Sequence, residues 1–274
     1  MSVRSVLITG CSSGIGRATA VHLQSRGWRV LASARKAADV AALKTAGFET
    51  LLLDVADPAG VERTLAEAEA LTGGLDALVN NAGIAVPGAI EDLSRDNWQR
   101  QFDVNFFGAM QLTRGVLPGM RRRGFGRIVM VSSILGRVAM PWRGAYNASK
   151  FALEGATDSL RLELRGSGVS VSLVNPGPIR SRFRDNSLGN FDAEVDAEQS
   201  VHSATYTRLR AETGAHKDDQ LFTLGPEAVA VKIAHALESP RPKARYYVTL
   251  PAYALSAARR ILPMAWLDAL LTRL

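Results

Sequence analysis

Short apolar runs and longer segments of helical period alternate along the first two thirds of the chain. Ser5 to Thr9 reads as a strand, and a glycine turn follows. Arg17 to Arg26 has apolar-face positions at Ala18, Val21 and His22, with Ser25 on the polar side, and stops at Gly27. Trp28 to Ala34, Thr50 to Val55 and Ala77 to Asn80 are the next strands, with helices over Ala38 to Thr45 and Val61 to Leu71. Beyond them the pattern predicts a long helix over Asp96 to Met120, bent before Pro118, and a strand over Arg127 to Ser132. A helix over Tyr146 to Arg165 and a strand over Val169 to Val174 complete the series. The runs Ile128 to Val131 and Val169 to Val174 are rich in β-branched residues, as strands covered by helices are. Strands separated by helices of this length imply right-handed crossovers and a parallel sheet, hence an α/β fold.

From Ser181 to Phe222 the pattern turns polar and irregular. A helix over Ala228 to Leu237 and a last strand over Tyr246 to Leu250 restore it. At the end, Leu255, Ala258 and Leu262 precede Pro263, and Leu267, Leu270, Leu271 and Leu274 fall at helical spacing, with Arg259, Arg260 and Arg273 nearby. Two readings of this end stay open. It packs as a short amphipathic helix on the rest of the protein, or it rests on an anionic membrane surface.

Composition narrows the class. The 274 residues are 47% hydrophobic and 22% charged, which suits one large core with a solvated surface. The net charge of +7 is dispersed, its densest runs being Arg121-Arg122-Arg123 and Arg241 to Arg245. No base-stacking aromatics stand among these residues, so a nucleic-acid partner is not expected. Cys11 is the only cysteine, which rules out a disulfide within the chain and points to a reducing cytoplasm. No secretory signal and no membrane-spanning apolar run is read. The four histidines, His22, His202, His216 and His235, lack ligand spacing, so no metal is expected.

Chemistry first shows in Thr9-Gly10-Cys11-Ser12-Ser13-Gly14-Ile15-Gly16, a glycine-rich turn between a strand and a helix. Such a turn lets backbone N–H groups approach a diphosphate at a helix N-terminus, although the spacing differs from G-x-G-x-x-G. The second strand ends Ser33-Ala34-Arg35-Lys36, without the carboxylate that would accept an adenosine 2′-hydroxyl. Arg35, 19 positions beyond Gly16, offers a cation to a 2′-phosphate instead, which selects NADP(H). Farther along come Asn80-Asn81-Ala82-Gly83, Asn105, Ser132-Ser133 and Tyr146-Asn147-Ala148-Ser149-Lys150. Tyr146 and Lys150 share one helix face, where a cation can lower a tyrosine pKa by ~1–3 units.

In this order and over nearly the whole chain, these motifs resemble the short-chain dehydrogenase/reductase superfamily. The resemblance implies a Rossmann-type doubly wound parallel sheet and a catalytic tetrad of Asn105, Ser133, Tyr146 and Lys150. It implies coenzyme contacts from Gly10, Ser12, Ser13, Gly14, Ile15 and Gly16. Asp54 and Val55 match the pair beside adenine, and Asn81, Ala82 and Gly83 the segment near the nucleotide. Pro176, Gly177 and Ile179 match the loop beside nicotinamide, together with Ser181, where the family often has Thr. Residues 1–250 would form the dehydrogenase domain, with 181–221 as its substrate lid and 251–274 as an amphipathic C-terminal extension. The stretches Phe222 to Val229 and Arg245 to Leu250 are similar to bacterial NADP-dependent aldehyde reductases related to retinol and 17β-hydroxysteroid dehydrogenases.

The reaction so implied is hydride transfer between NADP(H) and a hydrophobic carbonyl or alcohol, with Tyr146 as general acid. Ser133 would hydrogen-bond the carbonyl oxygen, Lys150 would bind the nicotinamide ribose, and Asn105 would position a proton-relaying water. A homodimer through Asp96–Met120 and Tyr146–Arg165 is also implied. The rival reading is an NADP(H)-binding sensor without turnover. Such proteins commonly lose the tyrosine or the lysine, and this chain keeps both.

Overall fold

The structure, a computed structural model, describes residues 3–215 and 222–273. Its sheet contains β1 (Ser5–Ile8), β2 (Arg29–Ala34), β3 (Glu49–Leu52), β4 (Ala77–Asn80), β5 (Gly126–Val131), β6 (Val169–Pro176) and β7 (Arg245–Val248). The strand order is β3-β2-β1-β4-β5-β6-β7, and every neighbouring pair is parallel. The two-residue period of a strand divides the core between the faces. Val6 and Ile8 of β1 enter one apolar cluster, and Leu7 between them enters the other. The first cluster lies under α1 (Gly14–Ser25), α2 (Ala37–Thr45) and α9 (Glu227–Glu238), which contribute Ala20, Leu23, Leu43 and Ile233. The second lies under α3 (Pro58–Thr72), α5 (Gly108–Arg123) and α6 (Gly144–Glu163), through Val61, Leu112, Val116 and Leu153. Each buried Val, Leu or Ile among them contributes roughly 1.5–3 kcal/mol by leaving water.

The order of the strands decides where a ligand can sit. From β1 the chain moves outward through β2 and β3, then crosses back to β4 on the other side of β1. The loops after β1 and β4 therefore diverge and leave a crevice at the carboxyl ends of the strands. Both of the predicted nucleotide segments follow these two strands.

Several expectations change in detail. Helix α1 starts at Gly14, so the last glycines of the turn form its first turn, and it buries Thr19, Ala20 and Leu23 while Val21 is exposed. Strand β3 ends at Leu52, leaving Asp54 and Val55 in the loop beyond it. The long helix is not one element. It consists of α4 (Arg95–Phe102), a π-helical turn over Asp103–Phe107, and α5, in which Pro118 lies inside an unbroken helix. The wider turn accommodates an extra residue at Asn105, whose amide bonds Ile84 on both its N–H and its carbonyl.

The polar stretch after Ser181 is also helical, with α7 over Phe183–Glu194 and α8 over Ser203–Ala215. Neither has a sustained apolar stripe. The two helices are anchored through Phe191 and Tyr206, whose rings meet edge to face at 4.9 Å. Residues 216–221 of the expected lid lie outside the described residues. At the end of the chain, α10 (Leu250–Ile261) and α11 (Met264–Leu271) turn at Pro263, while Leu274 is outside the described residues.

Candidate active site

Thr9 ties the two halves of the crevice together. Its hydroxyl accepts the N–H groups of Asn81 at 2.9 Å and Ala82 at 2.8 Å, and Asn81 Nδ2 donates back to the Thr9 carbonyl at 2.8 Å. Gly10 and Gly14 have φ of +73° and +55°, values that strain any residue with a Cβ. At Gly16 the reason is space, because a Cβ would stand 2.2 Å from the Gly10 carbonyl oxygen. The start of α1 thus lies directly on the turn, with Ser12, Ser13 and Ile15 partly open to solvent around it. This is a backbone cradle at a helix N-terminus, and its geometry fits a dinucleotide diphosphate. Cys11 is fully buried, and burial pushes its thiol up to about 12, away from the reactive thiolate.

The other predicted coenzyme residues surround this cradle. Arg35 follows β2 and is exposed. Asp54 caps its own loop by accepting the Ala56 N–H, and Val55 is buried under the backbone of Gly108, where a Cβ would meet the Val55 carbonyl at 2.2 Å. Pro176 ends β6, Gly177 donates to Val248 on β7 at 3.0 Å, and Ile179 bridges Leu224. Ser181 lies against the glycine turn, 3.1 Å from where a Gly14 Cβ would stand.

The predicted tetrad converges beside that loop. Ser133 ends the chain's run out of β5 and begins a 3₁₀ turn, its Oγ accepting the Leu135 N–H at 3.1 Å. Tyr146 and Lys150 are on one face of α6, with the ammonium 5.7 Å from the ring centre. Asn105 Nδ2 reaches Ser149 of the same helix at 3.1 Å. A Cβ at Gly83 would stand 3.3 Å from Asn105 Oδ1 and 3.8 Å from Lys150 Nζ, so only a hydrogen-bearing backbone occupies the space between them.

Electrostatics departs from the expectation for the pair. Lys150 Nζ donates to the Val131 carbonyl at 2.9 Å, and burial pulls its ammonium down to about 8, with Glu154 acting in the opposite direction. Tyr146 is not lowered by its neighbour: burial raises it, against smaller lowering effects of the Ser133 hydroxyl and the Arg143 charge. A protonated Tyr146 is the form suited to giving a proton away.

The surroundings of the Tyr146 ring are largely apolar. Phe183 of α7 places its ring 5.7 Å from that of Tyr146. Leu255 of α10 and Leu267 and Leu271 of α11 join a buried cluster that also contains Ala85, Leu135, Val138 and Tyr146 itself. The C-terminal helices are therefore packed onto the cluster that holds Tyr146, a contact that amphipathic spacing by itself does not reveal. The sequence reading also missed Phe183, Arg143, Glu154 and Asn175. Glu154 had a visible signal, since it follows Lys150 by one helical turn; Phe183 had none, because its neighbour is 37 residues away in the chain.

Similarity to known proteins agrees with the geometry. A family profile described as short chain dehydrogenase matches residues 4–190. Over 269 residues the chain is 46% identical to the uncharacterized oxidoreductase YbbO of Escherichia coli (strain K12), spanning 98% of this chain and 94% of that protein. It is 37% identical to 17-beta-hydroxysteroid dehydrogenase type 1 of Homo sapiens, over 89% of this chain and 77% of the relative. A short-chain dehydrogenase/reductase from Burkholderia phymatum in complex with NAD superposes with a TM-score of 0.76 at 28% identity, covering 95% and 92% of the two chains. The closed form of serine dehydrogenase complexed with NADP+ gives 0.77 at 25% identity, covering 89% and 94%.

Proposed function

The chain belongs to the short-chain dehydrogenase/reductase family of NAD(P)-dependent oxidoreductases, and within it we propose an NADP(H)-dependent reductase of hydrophobic aldehydes or ketones. The observation that carries this reading is the convergence of Ser133, Tyr146, Lys150 and Asn105 beside a glycine cradle and under an apolar wall. NADP is favoured by exposed Arg35 at the end of β2, where no carboxylate competes for the ribose. Gly10, Ser12, Ser13, Gly14, Ile15 and Gly16 would hold the diphosphate, Asp54 and Val55 the adenine end, and Asn81 to Gly83 with Pro176, Gly177, Ile179 and Ser181 the nicotinamide half. When bound, the reduced coenzyme supplies the hydride.

The chain's own groups do the rest. Ser133 Oγ donates a hydrogen bond to the carbonyl oxygen and orients it. Tyr146 Oη gives its proton to that oxygen as negative charge develops, so one hydride and one proton complete the alcohol. Lys150 binds the coenzyme ribose and offsets the charge left on Tyr146, and Asn105 holds the water from which the proton is replaced. Leu255, Leu267, Leu271 and Phe183 exclude water and favour long apolar substrates. The relative named for 17-beta-hydroxysteroids supports an apolar substrate class.

Tyr146→Phe tests the assignment. Coenzyme binding should persist while kcat falls by ~10²–10⁴, the usual contribution of a positioned acid. Retention of more than a third of wild-type kcat sinks it, and absence of multiple-turnover NADPH oxidation across a panel of aldehydes and ketones would favour the sensor reading.

Two associations belong to the same proposal. Phe102, Phe106 and Phe107 form an aromatic cluster, with Phe107 exposed, and Phe151 and Leu162 are exposed on α6; these faces would pair in a homodimer. The outer side of α11 exposes Trp266 and Leu270 close in sequence to Arg260 and Arg273, which favours weak peripheral contact with an anionic membrane. No helix among the described residues is long and apolar enough to cross one. The reaction is assigned to the cytoplasm on the single cysteine. Sedimentation of the protein alone and with anionic vesicles checks both associations.

A further inference from the structure

Glu154 is a carboxylate with only 5% of its side chain exposed, and it lies outside the chemistry described above. Burying a charged group costs several kcal/mol unless hydrogen bonds and an opposite charge offset it. Both are present. Asn175, fully buried at the end of β6, donates Nδ2 to Glu154 Oε1 at 2.6 Å, and Arg245 of β7 donates to Oε2 at 3.0 Å. The same Asn175 amide donates to the carbonyl of Ser133 at 3.0 Å. One turn toward the N-terminus on the same helix is Lys150, and Glu154 is the charge that opposes the desolvation of its ammonium. The 3₁₀ turn closes over this group so tightly that a Cβ at Gly136 would stand 3.0 Å from Glu154 Cγ and from the Lys150 carbonyl.

A purely structural strap between β7 and α6 does not need this residue. Arg245 already reaches Asp158 on the same helix at 2.6 Å, through a carboxylate 37% exposed. A second, buried acid adds a desolvation cost that an ion pair seldom repays in stability. What Glu154 adds is a connection to both sides of the tetrad.

We propose that Glu154 is a positioning residue for the reduction, its carboxylate holding Asn175 against the Ser133 backbone and placing a negative charge one helical turn from Lys150. It touches neither substrate nor coenzyme and acts through these two partners. The ionisable groups about this cluster are Tyr146 beside Lys150 on the same helix, Arg143, whose charge acts on Tyr146, and Arg245 on β7, paired with Glu154. The π-helical turn presents the neutral amide of Asn105. Among the described residues, Glu154 is the negative charge that acts on the lysine.

This inference rests on the proposed roles of Tyr146 and Lys150, so the test compares Glu154→Gln, Glu154→Asp and Tyr146→Phe with wild type. The pH profile of kcat for carbonyl reduction is the readout, with melting temperature and coenzyme affinity as controls. Loss of the Lys150 proton sets the alkaline limb. Glu154→Gln should move that limb to lower pH by about one unit, the scale of one nearby charge. Glu154→Asp keeps the charge but shortens its reach to Asn175, so the limb should stay in place while kcat falls several-fold. A variant that merely loosens the fold would not separate the limb from kcat in this way. Should Glu154→Gln fail to fold, Glu154→Asp decides: a limb that moves in it, or a kcat equal to wild type, overturns the inference. A limb that stays in place in folded Glu154→Gln overturns it as well. Substantial activity in Tyr146→Phe would instead overturn the reading beneath it.

Discussion

The crevice has two halves that are held together differently. The proposed coenzyme half is fastened by polar side chains bound to backbone: the Thr9 hydroxyl accepts from Asn81 and Ala82, and the Asn81 amide donates to the carbonyls of Thr9 and Gly10, across the loops after β1 and β4. The proposed substrate half is fastened by apolar side chains from remote segments, with α7, α10 and α11 brought onto Tyr146 through Phe183, Leu255, Leu267 and Leu271. Directional hydrogen bonds tolerate few residue types but hold one geometry. Apolar contacts depend on volume and can be exchanged, which suits a wall that has to match a particular substrate.

The largest effect should come from breaking the hydrogen-bonded half. Gly16→Val places side-chain atoms where a Cβ alone would be 2.2 Å from the Gly10 carbonyl, so either α1 or the turn has to move. Coenzyme affinity should fall by more than ~100-fold and stability by a few kcal/mol, the scale of severe overpacking. Fluorescence titration and calorimetry measure the two. Affinity within a few-fold of wild type would contradict the cradle.

Breaking the apolar half should have a smaller and different effect. Leu267, 2% exposed, when changed to Ala should cost roughly 2 kcal/mol by cavity formation and raise KM for long-chain aldehydes more than for short ones. Equal changes in KM along the chain-length series would show that α11 only supports the fold.

Arg35→Ala sharpens the comparison at the rim of the coenzyme half. Loss of charge-assisted bonds to a 2′-phosphate is worth ~1.5–3 kcal/mol, or roughly 10- to 150-fold in NADPH affinity, with NADH scarcely affected. Parallel weakening of both coenzymes would leave Arg35 a surface arginine.

The smallest effect concerns the buried lysine and apo stability. Lys150 titrates at about 8 in the folded protein against an ordinary value of 10.5, so between these two pH values the unfolded chain binds more protons. Stability attributable to Lys150 therefore rises as pH increases through that window, and below it the cost of burying the ammonium is borne in full. The melting temperature of wild type relative to Lys150→Met should accordingly improve from pH 7.5 toward pH 9.5, by an amount on the order of 1 kcal/mol. A constant difference would contradict the burial cost.

What the sequence determined by itself was whatever depends on neighbours along the chain. Three glycines after Ile8, the four-residue spacing of Tyr146 and Lys150, and β-branched runs between helical segments each define local backbone or one helix face. The parallel sheet followed from these, and the proposed tetrad from the family resemblance that the motifs carry. Other features were decided only when distant segments met. Asn105 is on a π-helical turn because its amide satisfies the backbone of Ile84, a contact invisible in the helical pattern of Asp96 to Met120. The polar stretch after Ser181 becomes helical because Phe191 and Tyr206 find each other and the Ala89 loop. Glu154 acquires a role only because β6 and β7 bring Asn175 and Arg245 to it. Local periodicity records which face of an element is apolar, but the partners that satisfy a buried polar group are chosen by the packing of the whole chain.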